Sequence, residues 1–149
     1  MTGEQAIRTR LLSVSAITAL VGQRIWPHTA PSASATNTLP YIVYRAVDKV
    51  REHHLNGASG VCFSRVQLDL IGVDYEAVKI LSNAARNALD GFRGDVTVAS
   101  DLVRVVHCNL ELEIDDYDPP IDGSQKGRFR VIQDWKVGYQ ESIPAFAGA

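Results

Sequence analysis

Apolar residues recur at helical spacing from the start of the chain, with Ile7, Leu11 and Val14 on one side of a helix predicted from about Gly3 to Val14. Thr2 and Gln5 have the form of a capping box in front of it. Ser15 opens a short second turn or continuation that carries Ile17, Leu20 and Val21 and ends at Gly22. Pro27 holds Trp26 away from the helical region, so Arg24 to Pro27 is extended at most. His28 to Thr38 contains no large apolar residue and reads as a flexible surface loop.

The period then changes to two. A strand from Tyr41 to about Val50 sets Tyr41, Val43 and Val47 on one face and Ile42, Tyr44 and Ala46 on the other. Turn chemistry fills Arg51 to Gly60. A second strand, Val61 to Ile71, alternates Ser64, Val66, Leu68 and Leu70 with Arg65, Gln67 and Asp69, one dry face and one wet. Asp74 caps the clearest helix, whose apolar side joins Ala77, Leu81, Ala84 and Ala88 to Val78, Ile80, Ala85 and Leu89, and Gly91 closes it.

Val96 and Val98 suggest a short strand, and a long one follows from about Leu102 to Ile114. Its alternation places Val106, Cys108, Leu110, Leu112 and Ile114 together, opposite His107, Asn109, Glu111 and Glu113. Asp, Pro and Gly mark Asp115 to Gly127 as a turn. The last strand, Phe129 to about Gln140, carries Phe129, Val131, Trp135, Val137 and Tyr139 on one face, interrupted by Gln133. Ser142 to Ala149 reads as a flexible tail. The order helix, strand, strand, helix, strand, strand predicts an α+β fold: a mostly antiparallel sheet of about four main strands with two helices packed on one face, in one domain spanning residues 1–149.

Composition narrows the function classes. Hydrophobic residues at 46% and charged residues at 21% suit an ordinary globular chain, and a formal charge of -2 argues against general attraction to nucleic acid or an anionic membrane. No stretch approaches the roughly 18–20 apolar residues that span a bilayer, and the N-terminus lacks the pattern of a secretory signal, so synthesis in a cytoplasm and no membrane partner are expected. Cys62 and Cys108 lie in apolar strand segments and read as small core hydrophobes.

The residues for catalysis do not gather into a known pattern. His53 and His54 are adjacent rather than three or four apart, and no Cys-x-x-Cys or His-Glu-x-x-His accompanies them. His107 and Cys108, neighbours on a strand, point to opposite faces and cannot act as base and nucleophile to one another. Gly91 to Gly94 follows a helix and lacks the Gly-Lys-Ser/Thr ending of a phosphate loop. No catalytic residue, metal ligand or cofactor is therefore expected.

Two features suggest assembly instead. Glu111, Glu113, Asp115, Asp116, Asp118 and Asp122 have no lysine or arginine between them, which fits a solvated strand and turn, or a surface that repels nucleic acid or meets a basic partner. Tyr41, Tyr44, Trp135 and Tyr139 are amphipathic aromatics of the kind enriched at interfaces, and are expected at a subunit or partner contact.

In order and spacing, several short segments are similar to one family. They are Leu11-Leu12 leading to the run from Ala16 to Pro27, then Leu39 to Tyr44, Ala88 to Gly94, and Asp134 to Val137. Across residues 10 to about 141 the chain resembles the tail terminator family, also called tail completion or tail-to-head joining proteins, of long-tailed phages and gene transfer agents. The resemblance implies a non-enzymatic virion protein, made in the host cytoplasm, that forms a hexameric ring at the head-proximal end of the tail. It implies the tail tube protein and the head connector or stopper as partners, with DNA passing through the lumen without specific binding. The acidic stretch is then expected at the lumen or axial rim, and the 28–38 loop and 142–149 tail in docking. A head-completion adaptor or minor tail-tube component is the alternative, with a small ligand-binding or enzymatic α+β domain behind it.

Overall fold

The computed structural model describes residues 2–30, 39–119 and 127–143. Helix α1, Gly3–Leu12, starts where the backbone N–H of Thr2 donates to Gln5 Oε1 at 2.9 Å. Helix α2, Ser15–Val21, is a separate helix with Val14 at its N-cap, and Gly22 takes a positive φ of 60° to leave it. Helix α3, Tyr75–Leu89, is capped by Asp74, whose Oδ1 accepts the N–H of Ala77 at 2.7 Å. Its buried stripe is Val78, Leu81, Ser82, Ala85, Ala88 and Leu89. Ile80, expected with them, is 51% exposed, because at about 100° per residue it falls on the far side of that stripe. Substituting Asp74 with Ala is expected to destabilise the fold by about 1 kcal/mol, read as a shift in the urea midpoint.

Among the described residues the sheet has six strands rather than four, and three helices rather than two accompany it. Its members are β1 Ile25–Pro27, β2 Tyr41–His54, β3 Gly57–Gly72, β4 Gly94–Val98, β5 Asp101–Asp118 and β6 Arg128–Gln140, in the order β1-β2-β3-β6-β5-β4. All neighbours are antiparallel except β1, which pairs parallel to β2 over Ile25↔Ile42 to Pro27↔Tyr44. The sheet curls around α1, which reaches β2 on one side and β4 on the other.

Two segments expected as turns are strands. The Arg51 to Gly60 region is a two-stranded ribbon that reverses between His54 and Gly57, with Gly57 at a positive φ of 119°. Its polar residues fit because both ribbon faces meet solvent near the tip. The start of the Asp115 to Gly127 region likewise continues β5, with Asp118 opposite Arg128.

Strand β5 also departs from simple alternation. Register shifts lie between Val105 and His107 and between Leu110 and Leu112, and each inserts one residue that inverts the phase of the strand beyond it. Val103, Val105 and Cys108 are therefore buried, whereas Leu112 and Ile114 lie across the sheet from Cys108 and are 47% and 46% exposed.

The main core fills the space between the helices and one sheet face. Ile7 and Leu11 of α1, Leu81 and Leu89 of α3, Val66, Leu68 and Leu70 of β3, and Val131 and Val137 of β6 meet there. Gln133 is fully buried among them, and its neighbours explain how: its Nε2 donates to the Ser82 carbonyl at 3.2 Å and its Oε1 accepts the Trp135 indole N–H at 3.2 Å. Of the two segments expected to be flexible, residues 31–38 and 144–149 lie outside the described residues.

Candidate assembly surface

With the helices gathered on one side, strands β2, β3, β6 and β5 present their other face without a covering layer among the described residues. Polar side chains cross it in rows. Arg65 Nη2 lies 2.7 Å from Asp134 Oδ2, Arg45 donates to Gln67 Oε1 at 3.1 Å, and Gln67 donates to Asp69 Oδ1 at 2.9 Å. Arg130 reaches Asp118 at 2.5 Å and Asp69 at 4.0 Å. The hydrogen bond and the charge of Asp134 hold the Arg65 guanidinium above its ordinary pKa. A face with this much charge suits water or a polar partner rather than a second dry layer.

Phe63 forms an apolar island within it, lying across Gly138, where a Cβ would stand 2.9 Å from its ring. The His107 ring meets Phe63 edge-on at 6.3 Å and Lys136 Nζ sits 5.2 Å from its centre. Beside it a shallow open depression of about 470 Å³ is bordered by Val50, Arg65 and Glu111.

The four aromatics expected at an interface are inside the chain. Trp135 and Tyr139 have no exposed surface, and Tyr139 packs beneath Gly3. Tyr44 belongs to the same core, while Tyr41 joins Val43 and Ile71 in a small second cluster on the other face and receives a hydrogen bond from Arg128 at 3.2 Å. The reason is which face the helices cover: odd-numbered positions of β6 lie beneath α1 and α3, so its amphipathic aromatics fill the core. Among the described residues the most exposed aromatics are Tyr75, 55% exposed, and Tyr117, 46% exposed, whose rings flank Phe129 at 6.3 and 4.9 Å. Neither stands out in the sequence, because Tyr75 starts a helix outside its apolar stripe and Tyr117 sits in an aspartate-rich stretch.

The acidic residues are brought together along the outer half of β5, where the register divides them between the two faces. Glu113 and Asp115 lie on the helix side with Tyr117, and Asp116 and Asp118 on the open side. Lys79 of α3 meets Asp115 at 2.6 Å, and this hydrogen bond raises the Lys79 pKa. Asp118 is held by Arg130, whereas Glu111, Glu113 and Asp116 have no ion-pair partner among the described residues. Asp122 lies outside the described residues.

The histidines and cysteines weighed as catalytic candidates do not come together among the described residues. His53 and His54 stand on the exposed ribbon, and His107 and Cys108 point to opposite faces of β5. No three His, Cys, Asp or Glu side chains among the described residues converge as a metal cage. Burial, with the Asp90 charge behind it, pushes the Cys108 thiol up to about 12, the reverse of an activated nucleophile.

The relationships of the chain agree with a structural role. Among curated proteins none matches it significantly. A chain of the virion of a native gene transfer agent particle shares its fold, with a TM-score of 0.64 at 16% identity over 91% of this chain and 93% of that one. The family model for tail completion protein gp17 matches residues 5–131, so the chain belongs to that family of structural proteins of phage tails.

Proposed function

We propose that this chain, acting as one domain, closes into a hexameric ring that ends the tail tube at its head-proximal side and joins the tail to the head connector. Membership in the tail completion family carries the reading, because completing a tail requires a part that binds the last tube ring and admits no further one. The fold supplies a physical means. Strands with unpaired outer edges offer backbone donors and acceptors that a neighbouring copy satisfies, and a closed ring leaves none for open-ended growth.

The acidic outer half of β5 faces the lumen or the axial rim in this arrangement. Its one-signed charge repels the phosphate backbone, so DNA passes without adhering. The 28–38 loop and the 142–149 tail contribute docking contacts to tube or connector.

Purified protein mixed with tail tubes and imaged by cryo-EM is expected to show single rings capping tube ends, with the acidic end of β5, residues 111–118, toward the channel or its mouth. Filaments of this protein alone would make it a tube component, and a ring bound only to the isolated connector would make it a head-side adaptor. Rings with residues 111–118 on the outer wall would remove the lumen assignment.

A further inference from the structure

The sheet ends in two short strands, and each leaves most of its longer neighbour unpaired. Strand β1 covers β2 only at Ile42 to Tyr44, with His28 adding one bond to the Tyr44 carbonyl, so the outer edge of β2 from 45 to 54 meets no strand among the described residues. At the other side β4 covers β5 only from Asp101 to Val105, and the turn after α3 contacts it where Gly91 N–H donates to the Cys108 carbonyl and Leu110 N–H donates to Asp90 Oδ1. From 111 to 118 the outer edge of β5 likewise meets no strand among the described residues. The two open edges are similar in reach, roughly 26 Å for β5 and 33 Å for β2 at about 3.3 Å per residue.

Their charges differ. The β5 edge carries five carboxylates and no cation, with Glu111, Glu113 and Asp116 lacking an ion-pair partner among the described residues. The β2 edge carries Arg45, Lys49 and Arg51 against Asp48 and Glu52. Two β5 edges related by a two-fold axis would bring carboxylates opposite carboxylates, and like charges directly across a strand pair are destabilising. Pairing β5 with β2 sets carboxylates against the one long edge that holds arginines. Unlike edges make a head-to-tail contact, the kind that generates rings, whereas identical edges stop at a dimer.

We infer that the outer edge of β5, residues 111–118, pairs with the outer edge of β2, residues 45–54, of a second copy of this chain. This rests on the ring reading and names the surfaces through which the ring closes. Backbone hydrogen bonds provide the contact and the charges choose the partner edge. The exposed Tyr117 on β5 and Val47 and Val50 on β2 supply apolar area at the margins.

The test uses the full chain with purified tail tubes and two double variants. Glu113→Lys/Asp116→Lys reverses charge on the β5 edge, and Arg45→Glu/Arg51→Glu does so on the β2 edge. The first breaks no ion pair but removes the Asp116 contact to the Tyr117 N–H and the Glu113 charge near Lys79, and the second removes the contacts of Arg51 to Glu141 and of Arg45 to Gln67; all lie at the surface, so thermal melts close to wild type are expected for both. Each variant alone is expected to need about tenfold more protein to cap tubes. Mixed, they present two complementary edge pairs, unchanged β5 on unchanged β2 and reversed β5 on reversed β2, and are expected to restore capping as rings in which the two variants alternate, read by native mass measurement. Combining all four substitutions in one chain is expected to restore rings. If wild type caps tubes with rings and both double variants do so equally well, this edge pairing is wrong and the ring reading stands. Loss of capping in the double variants that neither the mixture nor the fourfold variant rescues also overturns the pairing. If wild type forms no ring on tubes or connectors, the ring reading itself fails and takes the pairing with it.

Discussion

Replacing Trp135 with alanine is expected to destabilise the isolated chain by about 3–5 kcal/mol, the range for removing a fully buried large aromatic from a core that collapses only partly around the space. Trp135 has no exposed surface, and its indole N–H is the donor that satisfies Gln133 Oε1. The substitution therefore leaves a cavity and a buried amide oxygen without its donor, the second effect alone costing about 1–3 kcal/mol. Trp135→Phe separates the two, since it keeps much of the volume and removes only the donor, and a smaller loss is expected. Urea unfolding of the three proteins, with m-values checked for constancy, gives the comparison. The same measurement decides between the two places for this residue. A side chain that served a subunit contact would leave monomer stability nearly unchanged when truncated, so a loss under about 1 kcal/mol would return Trp135 to an interface.

A second large effect is expected on the alkaline side. Burial raises the Cys108 thiol from an ordinary value of 9.0 to about 12, and burial also raises the phenols of Tyr139 and Tyr44. In the unfolded chain these groups lose their protons at ordinary values, while the folded chain holds them. Stability is therefore full below about pH 9 and declines as pH rises from there through the raised folded values. For Cys108 alone the loss at pH 11 is roughly 2–3 kcal/mol at 1.36 kcal/mol per pKa unit, with the tyrosines adding to it above about pH 10. Urea midpoints at pH 8, 10 and 11 are expected to fall, and Cys108→Ala, though less stable at pH 8, is expected to fall less steeply. Equal slopes for the two proteins would show that the thiol is not linked to folding. Thiol labelling gives an independent check at pH 8: Cys62 and Cys108 are both buried and are expected to react with a disulfide reagent only after denaturant is added.

These effects follow from burial, whereas assembly follows from what burial leaves over. Family membership makes the chain a structural part of a virion tail, and a part of that kind acts through its periphery. Its periphery here is a charged open sheet face, the Tyr75 and Tyr117 pair, and two long strand edges. A ring built on edges needs each copy to fold alone and still leave backbone groups for a neighbour. The short β1 and β4 allow both, since they pair only the ends of β2 and β5.

How much of this is legible in the chain alone depends on how local the determinant is. Helix α3 is readable almost to the residue, since its cap at Asp74, its stop at Gly91 and its apolar stripe lie within one short stretch of chain. So is the inward alternation of β3 and β6, because each strand keeps its phase throughout. The phase of β5 is not readable, because a bulge is a property of two paired strands: only β6 opposite it reveals that Leu112 and Ile114 have left the face of Cys108. Polar composition disguises both ribbon ends as turns, since a strand with solvent on each side has no alternation to display. The site divides in the same way. That the acids stand together is a fact of one dimension; that Asp115 meets Lys79 and Asp118 meets Arg130 requires α3 and β6 beside them. Whether an aromatic fills a core or meets a partner turns on which sheet face the helices cover. Chain order settles the period of each element, and long-range packing settles which side is inside and which edges stay open.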